Sequence, residues 1–239
     1  MQTSSESPVE RMRADIQAVV FDLDGTILDR RRSFERFVRD QWARFANCQT
    51  ADQEQYVQTL IELDREGYAP RKSLFTGVIA RFGVASDVAD TLLDDYRAGF
   101  PNACLLFPDA AQTLSCLRTS GLKLGLITNG SIRMQSRKLQ SLALAPMFDT
   151  ILISDAEGIS KPHPQIFHRA LERLNTSPAR SVFVGDHPEI DVAGARAAGM
   201  QAIWRRDPSG SRMIEADGVI DELSDLLTWL GLGPRTSRE

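Results

Sequence analysis

The sequence predicts an α/β fold: a doubly wound parallel sheet whose first strand is followed by an all-helical insert. Three observations carry this expectation. The run AVVF at 18–21 is apolar without polar alternation, as expected of a strand covered on both faces. Residues 29–99 hold no convincing strand and instead repeat apolar residues at three- and four-residue spacing. Beyond Pro108, short apolar runs alternate with helix-length amphipathic segments, the pattern of βαβ units with helices on both faces of a sheet. A Rossmann-like core is therefore expected from 1–29 and 102–239, interrupted by a helical domain at 30–101.

Taken in order, the first strand stops at Asp22, at the carboxyl edge where open parallel sheets bind ligands. In the insert, Phe34, Phe37, Val38, Trp42 and Phe45, then Tyr56, Leu60, Ile61 and Leu63, follow a helical period. Breakers at Gly67 with Pro70, at Gly83, and at Gly99 with Pro101 divide it into about four helices. A helix over 109–119 ends at Gly121. Strands at 122–127, 150–153, 181–184 and 202–204 then alternate with helices at 131–142, 164–174 and 190–198, the last closed by Gly199. The tail from Gly231, GLGPRTSRE, has little to bury and is expected to be mobile.

Composition narrows the function. A hydrophobic share of 42% and a charged share of 25% suit an ordinary soluble protein. A net charge of −4, from 28 basic and 32 acidic residues, argues against an extended nucleic-acid or anionic-membrane surface. Cys48, Cys104 and Cys116 are odd in number and form no C-x-x-C pair, which fits reduced thiols better than a disulfide framework or a zinc site. The first fourteen residues hold no secretory apolar core, and no run is long enough to span a bilayer. A cytoplasmic monomer or homodimer with a frayed N-terminus is expected.

The stretch QAVVFDLDGT at 17–26 sets two carboxylates, Asp22 and Asp24, at a strand's end. A calcium loop fails on spacing, since Ile27 stands where that loop needs glycine and Ser33 where it needs the closing Glu. An ordinary Asp-Gly turn survives if this stretch is read alone. Later strands end in comparable groups: Thr128-Asn129-Gly130, a loop carrying Lys161 in SKPHP, and Asp186 with Asp191 five residues on. In a parallel sheet all these ends lie on one edge, so the set can converge although it spans most of the chain.

These four motifs, DLDGT at 22–26, ITNG at 127–130, SDAEGISKPHPQIF at 154–167 and VGDHPEIDVAGARAAG at 184–199, resemble the haloacid dehalogenase superfamily, in its phosphatase branch with a helical C1-type cap (subfamily IA-like). The resemblance implies a Mg²⁺-dependent phosphatase acting on a small phosphorylated metabolite. Asp22 would be the nucleophile, forming an aspartyl-phosphate. Asp24 would be the general acid and later base, its backbone carbonyl also on the metal. Thr128 and Asn129 would donate to the phosphoryl oxygens. Lys161 would offset repulsion between Asp22 and phosphate, Asp22 and Asp186 would bind Mg²⁺, and Asp191 would orient Lys161 or a metal-bound water. His163 would position Lys161, with a cis Lys161–Pro162 bond allowed.

Other residues are less defined. His187 is a rim residue within reach of substrate or of a metal-bound water, at a position where many family members carry serine. The insert would close over the sheet edge and exclude water, with hinges near 26–30 and 100–102. Its loop REGYAPRK offers Tyr68, Arg71 and Lys72 as substrate contacts. Arg30, Arg31 and Arg32 could guide an anion or form a solvated face, the commoner outcome. Dehalogenases of the family lack the second aspartate, retained here as Asp24. A phosphonatase would need a cap lysine, and Lys72 is the only lysine between 30 and 100. A phosphomutase, or a non-catalytic protein that binds small phosphates, stays open. No nucleotide-binding G-x-x-x-x-G-K-[ST] or G-x-G-x-x-G follows a strand.

Overall fold

The computed structural model describes residues 15–45, 48–49, 52–83, 88–206 and 214–233, the side chains of Glu66 and Ile79 excepted. The expected frayed N-terminus, 1–14, and the tail beyond Gly233 lie outside the described residues. The described part of that tail, Gly231 to Gly233, is hydrogen-bonded to the preceding helix, with Leu232 N–H donating to Leu227 O at 2.7 Å.

In chain order the elements are β1 Ala18–Phe21, α1 Arg30–Arg44, α2 Gln53–Asp64, α3 Arg71–Phe82, α4 Val88–Ala103, α5 Ala110–Thr119, β2 Lys123–Thr128 and α6 Ile132–Ser141. There follow β3 Thr150–Ile153, α7 Ser154–Glu157, α8 Pro164–Leu174, β4 Ser181–Gly185, a wide π-helical turn at Pro188–Ala193, α9 Gly194–Ala197, β5 Gln201–Arg205, β6 Gly218–Ile220 and α10 Asp225–Trp229. They form two units. One is built from the segment ending at Ile27, from Leu106–Ile132 and from Ala143 onward. The other combines Leu28–Leu105 with Arg133–Leu142. No helix among the described residues is long and apolar enough to cross a membrane.

The first unit is a six-stranded, wholly parallel sheet in the order β3-β2-β1-β4-β5-β6. The order reverses between β1 and β4, where Phe21 pairs with Val184, so the loops after these two neighbouring strands diverge and leave a crevice. On one face, Ala18, Val20, Phe183, Ala202 and Trp204 pack against Ile166, Phe167, Ala170, Leu171 and Leu174 of α8. That is why AVVF shows no alternation: all four of its residues are buried.

One expectation for this unit needs correction. The helix expected at 190–198 is instead the π-helical turn followed by α9. His187 starts that turn, its Nδ1 accepting from Ile190 N–H at 3.2 Å and its carbonyl from both Asp191 and Val192. β6, α7 and α10 were not foreseen, being too short for a periodic signal.

In the second unit, helices α1 to α4 enclose an aromatic cluster in which Phe34 and Phe37 meet Tyr96 and Phe100 edge to face. The breaker expected at Gly99 and Pro101 does not end the helix: Pro101 lies inside α4. Proline removes the N–H that the carbonyl four residues back would accept. That carbonyl, Arg97 O, instead accepts from Arg137 Nη1 at 3.0 Å, while Arg137 Nη2 donates to Ala98 O at 2.6 Å. Arg30 departs from the solvated-face expectation too, whereas Arg31 and Arg32 are exposed. Arg30 is buried, donates twice to Asp64 at 2.8 and 2.9 Å, and lies over the rings of Phe34 and Phe100.

Breaking a buried ion pair leaves one charge without compensation. Asp64→Ala is expected to destabilise this unit by about 3 kcal/mol in urea unfolding. A loss under about 1 kcal/mol would show that the Arg30–Asp64 pair contributes no more than a surface pair does.

Candidate active site

Asp22 follows β1 directly, and its N–H continues the ladder to Val184 O at 2.9 Å. The chain must then turn sharply beneath Asp186. Gly25 does so with φ +89°, and a Cβ there would lie 2.5 Å from Asp186 Oδ2, so glycine serves both the conformation and the close approach. Thr26 Oγ1 donates to Asp186 Oδ1 at 3.0 Å, and Trp204 Nε1 to Asp186 O at 2.8 Å. Three neighbouring strand ends, those of β1, β4 and β5, are thereby tied together.

Lys161 reaches the same point from the loop after β3. Its Nζ donates to Asp22 Oδ1 at 2.5 Å and to Asp191 Oδ1 at 2.7 Å, with the residue 3% exposed. The Lys161–Pro162 peptide is cis. Asn129 brackets the backbone of Lys161, its Nδ2 donating to Lys161 O at 2.9 Å and its Oδ1 accepting from Lys161 N–H at 3.0 Å. Asn129 therefore holds the lysine loop, a task its expected role as a phosphate donor did not include. Asp191 Oδ2 accepts from His187 N–H at 3.0 Å, so Asp191 fixes Lys161 with one oxygen and the turn after β4 with the other. Thr128, buried, closes β2 beside Ile153.

Carboxylate oxygens of Asp22, Asp186 and Asp191 lie within 4.8 Å of one another. Burial, reinforced by Asp191 and Asp24 and only partly relieved by Lys161, pushes the Asp22 carboxyl up from 3.8 to about 7. Burial, with Asp22 and Asp191 nearby, also raises Asp186 well above the usual carboxylate range. Burial disfavours the Lys161 charge, but Asp191 and Asp22 outweigh it and hold the ammonium above its ordinary range. The Lys161 ammonium thus faces a cluster of three carboxylates. Such an excess of hard oxygen donors fits a small divalent cation such as Mg²⁺.

The remaining expected residues fall elsewhere. His163 caps α8, its Nδ1 accepting from Gln165 N–H at 3.2 Å, and His187 caps the turn described above. Tyr68 and Lys72 are exposed in the second unit. Arg71 there is committed to Asp64 and to the Gly67 carbonyl, and lies over the Tyr96 ring. Among the residues not foreseen, Asp155 Oδ2 accepts from Ile132 N–H at 3.0 Å and Ser154 Oγ from Gly130 N–H at 3.0 Å, fixing the loop that follows Thr128. Thr26 lay in the DLDGT motif, whereas Trp204 carried no signal in the sequence.

Comparison with known proteins places this arrangement. The family model of the haloacid dehalogenase-like hydrolases matches residues 16–199. The chain is 30% identical to the glyceraldehyde 3-phosphate phosphatase of Pyrococcus furiosus over 228 residues, 89% of this chain and 92% of that one. Among solved structures it is similar to a phosphatase of the family from Thermococcus onnurineus, with 29% identity, TM-score 0.63, and 90% and 98% of the two chains covered. It is similar also to a 2-haloacid dehalogenase from Pseudomonas syringae, with 30% identity, TM-score 0.58 and the same coverage.

The raised carboxyls have a consequence for stability. Unfolded, Asp22 releases its proton near 3.8; folded and without metal it keeps the proton to about 7. The fold binds the extra proton between these values, so its stability falls as pH rises through that window. In chelator, the thermal midpoint is expected to be lower at about pH 8 than at about pH 5.5, and Asp22→Asn to flatten that difference. A parent midpoint that rises over this interval would show that the carboxylates are already compensated.

Proposed function

This chain belongs to the haloacid dehalogenase-like hydrolases, as a phosphoric monoester hydrolase, and we propose that it cleaves a small phosphorylated metabolite through an aspartyl-phosphate on Asp22 with Mg²⁺ as cofactor. The observation that carries this reading is Asp22 gripped by a buried Lys161 inside a cluster of further carboxylates. Attack on carbon would give such a surplus of negative charge no use. A phosphoryl group, held through a divalent cation, does.

Asp22, in its carboxylate form, attacks phosphorus and the ester oxygen departs with the bonding pair. Asp24 donates the proton that this oxygen takes up. Asp24, now a base, removes a proton from water, which attacks the aspartyl-phosphate and regenerates Asp22 with release of inorganic phosphate. Lys161 and the Thr128 hydroxyl face the equatorial oxygens, where charge must be offset as nucleophile and phosphate approach. The Asp22 and Asp186 carboxylates and the Asp24 carbonyl would hold the Mg²⁺, which screens the phosphoryl charge when bound. Asp191 keeps Lys161 aimed. The phosphorylated aldehyde on which the Pyrococcus furiosus relative acts is the first substrate to test, with Tyr68 and Lys72 of the helical insert as candidate contacts to it, Arg71 being committed to Asp64.

Hydrolysis of an aryl phosphate, and of a panel with glyceraldehyde 3-phosphate, sugar phosphates, nucleotides, phosphoserine and phosphoglycolate, is expected to require Mg²⁺ and to cease in chelator. Asp22→Asn is expected to lower turnover by at least about a thousandfold, and Asp24→Asn by about a hundredfold or more. Residual activity of Asp22→Asn within about tenfold of the parent would remove Asp22 from the nucleophile's role. Phosphate release untouched by chelation would remove the metal.

A further inference from the structure

The two residues that end β5, Trp204 and Arg205, supply no group to the proposed chemistry, yet each grips a loop that carries proposed metal ligands. Successive residues of a strand face opposite sides of the sheet. Trp204 belongs to the cluster with Ala18, Val20 and Phe183, and its Nε1 holds the Asp186 carbonyl at 2.8 Å. Arg205, 8% exposed, donates from Nη1 to the Gly25 carbonyl at 3.0 Å, and its guanidinium stacks 3.5 Å from the ring centroid of Phe107. Phe107 N–H in turn donates to the Ile27 carbonyl at 3.0 Å.

The loop after Asp22 needs this tether. Gly25, at φ +89°, has the widest backbone freedom of any residue there. The turn's own backbone hydrogen bonds are the long one from Thr26 N–H to Leu23 O, 3.4 Å, and that from Ile27 N–H to Leu23 O, 3.1 Å. We infer that Arg205 is a positioning residue for the proposed Mg²⁺ site: by fixing the Gly25 carbonyl it sets where the adjoining Asp24 carbonyl and Asp22 carboxylate stand relative to Asp186. The inference rests on the Mg²⁺ reading of that site. Mg²⁺ demands near-octahedral oxygens at about 2.0–2.1 Å, so a loop displaced by a few tenths of an ångström binds it poorly. Charge alone predicts the opposite sign, because removing a cation beside the carboxylates would favour Mg²⁺.

Calorimetric titration of Mg²⁺ into the parent, Arg205→Met and Arg205→Lys, with thermal midpoints measured in chelator, tests this. Arg205→Met is expected to bind Mg²⁺ about tenfold more weakly. Arg205→Lys keeps a donor and a charge but loses the planar stack, and is expected to fall between the two. Affinity of Arg205→Met equal to or above the parent's overturns the inference, whatever its thermal midpoint. Should Arg205→Met not fold, Phe107→Leu decides, since it keeps Arg205 and removes its platform: several-fold weaker binding supports the inference and an unchanged constant overturns it. A parent that takes up no Mg²⁺ overturns the metal reading and this inference together, whereas a parent that binds beside unchanged variants overturns the inference alone.

Discussion

The catalytic unit depends on one buried ammonium. Lys161 lies between Asp22 and Asp191 with almost no solvent to share its charge, and each carboxylate is buried in turn. Removing any member would strand an opposite charge at several kcal/mol, so the loops that carry all three must stay in register. The fold meets that demand by fixing the lysine at both ends: Asn129 holds its backbone, while Asp191 and Asp22 hold its Nζ. Close packing assists, since a Cβ on Gly194 would lie 3.0 Å from the Pro162 Cα beside it.

The lysine does not balance the site, and on the proposed Mg²⁺ reading a bound cation would relieve the imbalance. Carboxyls of Asp22 and Asp186 are driven upward by burial, reinforced at Asp22 by Asp191 and Asp24 and at Asp186 by Asp22 and Asp191, which destabilises the metal-free crevice as pH rises. The sheet tolerates this because its strand order reverses at β1 and β4, leaving room where the loops part, and because Gly25 and Gly185 lack the side chains that would meet Asp186 and Asp191. Stability is given up where a cation and a phosphoryl group would restore it.

The helical unit solves a related problem without that surplus. Arg30 and Arg71 converge on Asp64, and the aromatic faces of Phe34, Phe100 and Tyr96 take the remaining surface of the guanidinium groups. Arg137 lets α4 run through Pro101 by donating to the carbonyls of Arg97 and Ala98. Both devices join residues far apart in sequence: one carries a helix through an expected break, and the other buries an arginine expected on a solvated face.

By itself the sequence determined the class of fold, strands β1 to β5 with helices α5, α6 and α8 among them, and the stretches that end at the sheet's carboxyl edge. Hydrophobic period is a local property, and the DLDGT, ITNG, SKPHP and VGDHPEID stretches are contiguous. Only the tertiary structure decided which partner each polar group takes: Asn129 for the backbone of Lys161, Arg30 for Asp64, Trp204 and Arg205 for the loops that carry Asp186 and Gly25. Those choices depend on strand register and on groups meeting across 18 to 180 positions of chain, the widest between Arg205 and Gly25, where no periodicity or spacing in the sequence reaches.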